Sequence, residues 1–145
     1  MEPVFGTRRA DLVYAARPGA YGLALDEHSR IAIVRLEDDR YFLPGGGIEQ
    51  DETPETCLLR EFAEEIAWSA RIGTLLGRAT QFVESVRGPL EVRAHYFSVT
   101  PMAPIAGPAE HDCFWLPPME AIPLMAREAD RWAIGHLLPT GSSAP

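Results

Sequence analysis

The chain has 145 residues, enough for one domain with a true core. Its 21 acidic residues outweigh 13 basic ones to a net charge of −8, which argues against a general binder of nucleic acid or of a membrane surface. Cys57 and Cys113 have no metal-like spacing and suggest a reducing compartment. With no N-terminal apolar segment and no apolar run of membrane-spanning length, a cytoplasmic protein is expected.

Met1 to Arg9 reads as a polar lead-in. Asp11 to Arg17 predicts an edge strand closed by Pro18-Gly19. Ala20 to Leu25 and Ile31 to Leu36 are alternating apolar runs around Asp26-Glu27-His28-Ser29, the pattern of a hairpin. Glu37 to Arg40 makes a polar turn, and Tyr41-Phe42-Leu43 a short strand that delivers Pro44 and three glycines. An amphipathic helix follows. Thr53 is a good N-cap, Pro54 suits the first helical position, and Glu55 sits in the first turn, where the helix dipole favours an anion. Leu58, Phe62 and Ile66 recur every fourth residue as a narrow apolar stripe.

Ile72 to Val83 and Leu90 to Val99 predict two longer strands joined around Ser85 to Pro89. Val92, Ala94, Tyr96 and Ser98 share one face of the second. Thr100 to Ala109, with three prolines and a glycine, predicts a loop. Asp112 to Leu116 predicts a last strand, Glu128 to Leu138 a C-terminal helix, and residues 139–145 a disordered tail. A single domain over residues 1–138 holds all of this, and periodicity alone allows either an α/β or an α+β fold.

Charge is concentrated around the first helix. Seven of the 21 acidic residues lie between Glu49 and Glu65, with Arg60 the only base among them. Glu61, Glu64 and Glu65 fall within an arc of roughly 100° on one flank. Carboxylates so spaced repel by about a few tenths of a kcal/mol per pair. The simplest resident of such a flank is a hard divalent cation, Mg²⁺ above all, which takes a few carboxylates together with substrate phosphate. A solvated acidic face is the plainer alternative.

Gly46, five residues, Glu52, seven residues, then Arg60-Glu61-Phe62-Ala63-Glu64-Glu65 resembles the Nudix box, G-x5-E-x7-R-E-U-x-E-E-x-G-U with U apolar. Every charged position is filled and Trp68 takes the last apolar slot. Ala67 stands in place of the late glycine, at an expected cost of about 1 kcal/mol or a shifted helix end.

The resemblance implies the Nudix fold, a mixed β-sheet in an α/β/α sandwich. It also implies a Mg²⁺-dependent hydrolase (Mn²⁺ substituting) that cleaves a phosphoanhydride in a nucleoside diphosphate linked to another group. By the same resemblance, metal falls on Glu61, Glu64, Glu65 and the main-chain carbonyl of Gly45, and Gly46 and Glu52 have structural roles. Arg60 is expected to orient the catalytic carboxylates through bidentate hydrogen bonds. Glu61 is the first candidate for the general base, and Glu110, before the last strand, the second. Gly45 to Gly47 leave room for the backbone to approach substrate closely. Gly47, Phe82 and Tyr96 are the candidate substrate-binding residues, the two aromatics (with Trp115) as base stackers.

Substrate identity is less marked. Val83 to Ser85 occupies the region where ADP-ribose and dinucleoside-polyphosphate enzymes carry Pro or Tyr, so a nucleoside di- or triphosphate is the default. The expected partner is a small nucleotide-type molecule, with a homodimer left open. A non-catalytic Nudix-like module that senses a nucleotide or docks a protein is the alternative. Loss of a box carboxylate or arginine would mark it, and none is lost.

Overall fold

The computed structural model describes residues 2–138, so the tail expected over 139–145 lies outside the described residues. The strands are β1 (Val4–Phe5), β2 (Ala15–Ala24), β3 (Ile31–Arg35), β4 (Tyr41–Phe42), β5 (Gly45–Gly47), β6 (Trp68–Ser85), β7 (Gly88–Pro104) and β8 (Asp112–Leu116). Helix α1 (Pro54–Ile66) follows β5; α2 (Pro118–Ala121), a single 3-10 turn (Ile122–Leu124) and α3 (Glu128–Leu137) close the chain. No helix of the described residues is long and apolar enough to cross a membrane.

The larger sheet has the order β1-β6-β7-β2-β5 and is mixed: β1 runs parallel to β6 and β7 parallel to β2, while β6–β7 and β2–β5 are antiparallel. The smaller sheet, β4-β3-β8, is antiparallel throughout. Strand alternation sends side chains to two helical layers. Tyr21, Leu23, Ile31, Ile33, Val92 and Tyr96 pack with Ala129, Ala133 and Ile134 of α3. Ala20, Ala24, Ala32, Val34, Phe97 and Val99 pack with Leu58, Phe62 and Ile66 of α1. Each large apolar side chain so buried contributes about 1.5–3 kcal/mol. The result is the expected mixed sheet between helical layers.

Several local expectations are corrected. The Pro18-Gly19 pair does not close a strand, because β2 runs straight through it. Pro18 lies just before β5 joins at Gly19, where that side of β2 is still an edge and a missing N–H interrupts no ladder. Its carbonyl is used instead, accepting from Ile48 N at 2.9 Å. The hairpin expected between residues 20 and 36 is a corner: the 26–30 turn joins strands of different sheets, linked by a lone Leu25–Ile31 bridge. Thr100 to Ala109 is not all loop. β7 continues to Pro104 against Trp68–Arg71 of β6, with register shifts absorbing the irregularity. The lead-in contains β1, and α2 with its 3-10 turn had no forecast.

Candidate active site

The glycine strand and α1 are pressed together. β5 pairs with β2 in the register Gly45–Tyr21, Gly46–Ala20 and Gly47–Gly19. Gly45 has φ +144°, and a β-carbon there would stand 2.1 Å from Ala20 O. At Gly46 an added β-carbon would stand 2.2 Å from Glu61 Oε2, so a side chain there would displace the Glu61 carboxylate from its present position. On the far side of the turn, Thr53 caps α1. Its Oγ1 accepts from Thr56 N at 3.1 Å while Thr56 Oγ1 accepts from Thr53 N at 2.9 Å, a reciprocal box. Buried Cys57 donates its thiol to the Gly46 and Gly47 carbonyls at 3.6 and 3.5 Å, a packing role with no sign of nucleophilic activation: burial first, then Glu52 and Glu61, push the thiol up to about 11.

Arg60 is the hub of the carboxylates. Nε and Nη2 donate to Glu52 Oε2 and Oε1 at 2.6 and 3.0 Å, the bidentate fork. Nη1 reaches Glu61 Oε2 at 3.3 Å and Glu64 Oε1 at 3.2 Å, and Nη2 the Gly47 carbonyl at 3.3 Å. Glu52 also accepts from Glu49 N at 2.8 Å, and the Arg60 hydrogen bond, with that backbone bond second, pulls its carboxyl down to about 2. The fork thus falls mainly on Glu52, with single bonds to Glu61 and Glu64. Glu65 is 8% exposed and accepts from Gly45 N at 2.8 Å. Burial pushes it up to about 8, against that hydrogen bond and with the charges of Glu61, Glu110 and Glu64 adding to the rise. Burial also raises Glu61.

Glu110 joins this group through the backbone. Glu110 N and His111 N donate to the Glu64 and Glu65 carbonyls, each at 3.0 Å, which pins the loop before β8 to the last turn of α1. Among the described residues no three metal-ligating side chains already converge on one point. Arg60 draws Glu61 and Glu64, and Gly45 N draws Glu65. The donor set is nevertheless all oxygen, and the burial and crowding that raise Glu65 are what a bound cation would offset, which fits a hard divalent cation.

Of these groups Gly45, Gly46, Glu65 and His111 reach one wall of a cleft of about 720 Å³, while Glu61, Glu64 and Glu110 do not line it. Arg17, Arg40, Arg87 and Arg127 line the rest with Tyr21, Phe42 and the β6–β7 turn. The proposed stackers are elsewhere. Tyr96 is 1% exposed, and its hydroxyl donates to Asp130 Oδ1 at 3.0 Å, so it is a core residue. Phe82 points away from the cleft that its neighbour Val83 lines, and meets Tyr14 edge-on at 5.1 Å. Trp115 packs edge-on against Trp68 at 5.9 Å. The four arginines and Phe42 escape a sequence reading because they come from four separate segments with no shared spacing. Only Arg17, beside Pro18-Gly19, sits near a feature that sequence marks.

The family model described as NUDIX domain matches residues 15–138, most of the chain. The chain belongs to the Nudix family. Solved structures agree in fold: the MutT protein from Methanosarcina mazei Go1 has a TM-score of 0.71 at 19% identity, covering 87% of this chain and 95% of that one. The E. coli ORF135 protein has a TM-score of 0.67 at 21% identity, covering 84% and 88%. In sequence, the chain is 44% identical over 39 residues to mouse diphosphoinositol polyphosphate phosphohydrolase 3-alpha. That match takes in 27% of this Nudix chain and 24% of the mouse protein.

Proposed function

We propose that this Nudix protein hydrolyses a phosphoanhydride in a nucleoside diphosphate linked to another group. Glu61, Glu64, Glu65 and the Gly45 carbonyl hold a divalent cation, Mg²⁺ with Mn²⁺ able to substitute. The observation that carries this reading is the crowding of carboxylates beside the glycine strand, two of them raised by burial, at the edge of an arginine-lined cleft. Such a cation supplies charge neutralisation for the diphosphate and a more acidic bound water. The chain's own groups do the rest. Arg60 fixes Glu52, Glu61 and Glu64 relative to the Gly47 carbonyl, and Glu61 or Glu110 takes the proton of the attacking water. The two free cysteines suit a reducing, cytoplasmic setting.

A diphosphate carried on a phosphorylated polyol is the second reading, favoured by the arginine wall and by the name of the mouse relative. The test is anhydride cleavage in Mg²⁺, read by chromatography of the products, over nucleoside triphosphates, nucleotide sugars, ADP-ribose, dinucleoside polyphosphates and a diphosphoinositol polyphosphate, with Glu65→Gln as control. A substrate turned over by wild type and not by the variant supports the reading. Silence across the panel from a protein that still binds Mg²⁺ favours a non-catalytic binding module.

A further inference from the structure

The cleft carries positive charge that the carboxylates do not use. Of its arginines, Arg40 is neutralised by Asp38 at 2.6 Å, and Glu84, another acid of the wall, is drawn away to Arg9 at 3.5 Å. Arg17, Arg87 and Arg127 have no carboxylate within ion-pair distance among the described residues. Arg87 is exposed at the β6–β7 turn, but Arg17 and Arg127 are half-buried.

These two converge on Tyr21. Arg127 Nη1 donates to the Tyr21 hydroxyl at 3.2 Å, and its guanidinium lies 5.8 Å from the Tyr21 ring centroid and 5.0 Å from that of Phe42. Arg17 lies against Gly47, where an added β-carbon would come 2.9 Å from Nη2, and its charge acts on the same phenol. Tyr21 pairs in register with Gly45, so both guanidiniums border the strand that abuts the acidic flank of α1. Arg127 feels buried Asp130 through space and bonds one neutral phenol, and Arg17 lies beside that phenol without bonding it. The two half-buried cations therefore keep most of their N–H donors unspent. The anion whose geometry matches such forks is phosphate.

The rings of the cleft offer a nucleobase little. Tyr21 is 4% exposed, and Phe42 already has Arg40 at 5.3 Å and Arg127 at 5.0 Å over it. We propose that Arg17 and Arg127 form an anion subsite for a phosphate beyond the scissile anhydride. The preferred substrate then carries more phosphate than the diphosphate being cut, and is selected by charge instead of by stacking a base. This deepens the hydrolase reading above and rests on it for the word substrate.

The test separates the two. Metal-free protein is titrated calorimetrically with inorganic pyrophosphate. Wild type binds, Arg17→Gln and Arg127→Gln each weaken binding about tenfold, and Arg17→Lys, which keeps charge without the fork, falls between. Glu65→Gln binds at least as tightly as wild type. In Mg²⁺, wild type prefers 2′-phosphorylated ADP-ribose to ADP-ribose, and Arg17→Gln erases that preference through KM more than kcat. Pyrophosphate binding that is absent in wild type, or unchanged in arginine variants with intact thermal transitions, overturns the subsite. If Arg127→Gln does not fold, the two Arg17 variants decide. Turnover retained in Glu65→Gln would instead overturn the hydrolase site, leaving the titration to judge the subsite alone.

Discussion

Glu65 spends a buried position on a charge, and metal-free protein should reveal that cost. Its carboxyl is raised from 4.5 to about 8, so the folded state binds the proton more tightly than the unfolded one. The stability it gives is therefore complete below about 4.5 and lost as pH rises through about 8, on the order of a few kcal/mol in all. Urea unfolding in chelator across this range should show the decline, and Glu65→Gln should flatten it and be the more stable protein at pH 8. A decline of the same size in the variant would locate it in another group. Glu110 is tested by kinetics: if it is the base, Glu110→Gln lowers kcat about 10²–10⁴-fold with near-normal metal affinity, whereas the same loss confined to Glu61→Gln returns the role to Glu61. At this scale the box was legible because its spacing alone gathers Arg60, Glu61, Glu64 and Glu65. Tyr96 was misread because its partner Asp130 arrives from α3, and a tyrosine alternating with Val92 and Ala94 suits a core face as well as a cleft.

Helix α1 holds its end without the glycine that suits it. Ala67 adopts φ 55°, ψ 48°, a left-handed cap, and its N–H donates to Phe62 O. The sequence left open a shifted end or a strained one, and the strained one is found. Ala67→Gly should stabilise the protein by about 1 kcal/mol, read from chemical unfolding, and leave turnover unchanged. An unchanged midpoint would mean that neighbours such as Ile105, whose N donates to the Ala67 carbonyl at 2.8 Å, already compensate. The start of α1 was readable because Thr53 and Pro54 act locally. The extents of β2 and β7 were not. Pro18, Pro101 and Pro104 look like breaks until the pairing partner shows where a missing N–H does no harm.

Across the whole molecule, α1 and the glycine strand bring acid to a cleft whose arginines come from β2, the turn before β4, the β6–β7 turn and the start of α3. A phosphoanhydride laid between acid-held cation and arginine would meet compensating charge on both sides. The acidic half is contiguous in sequence and so could be read there. The basic half exists only once the sheet has closed, which is why the molecule's net charge of −8 gave no hint of it. The central claim is that Glu61, Glu64 and Glu65 hold the cation on which turnover depends. Its most direct test is Mg²⁺ titration of turnover on the best substrate for wild type, Glu64→Gln and Glu65→Gln, with Mn²⁺ binding followed in parallel. The account predicts that both variants lose most of their turnover and bind Mn²⁺ more weakly while keeping the fold. Full turnover with intact metal binding in either would contradict it.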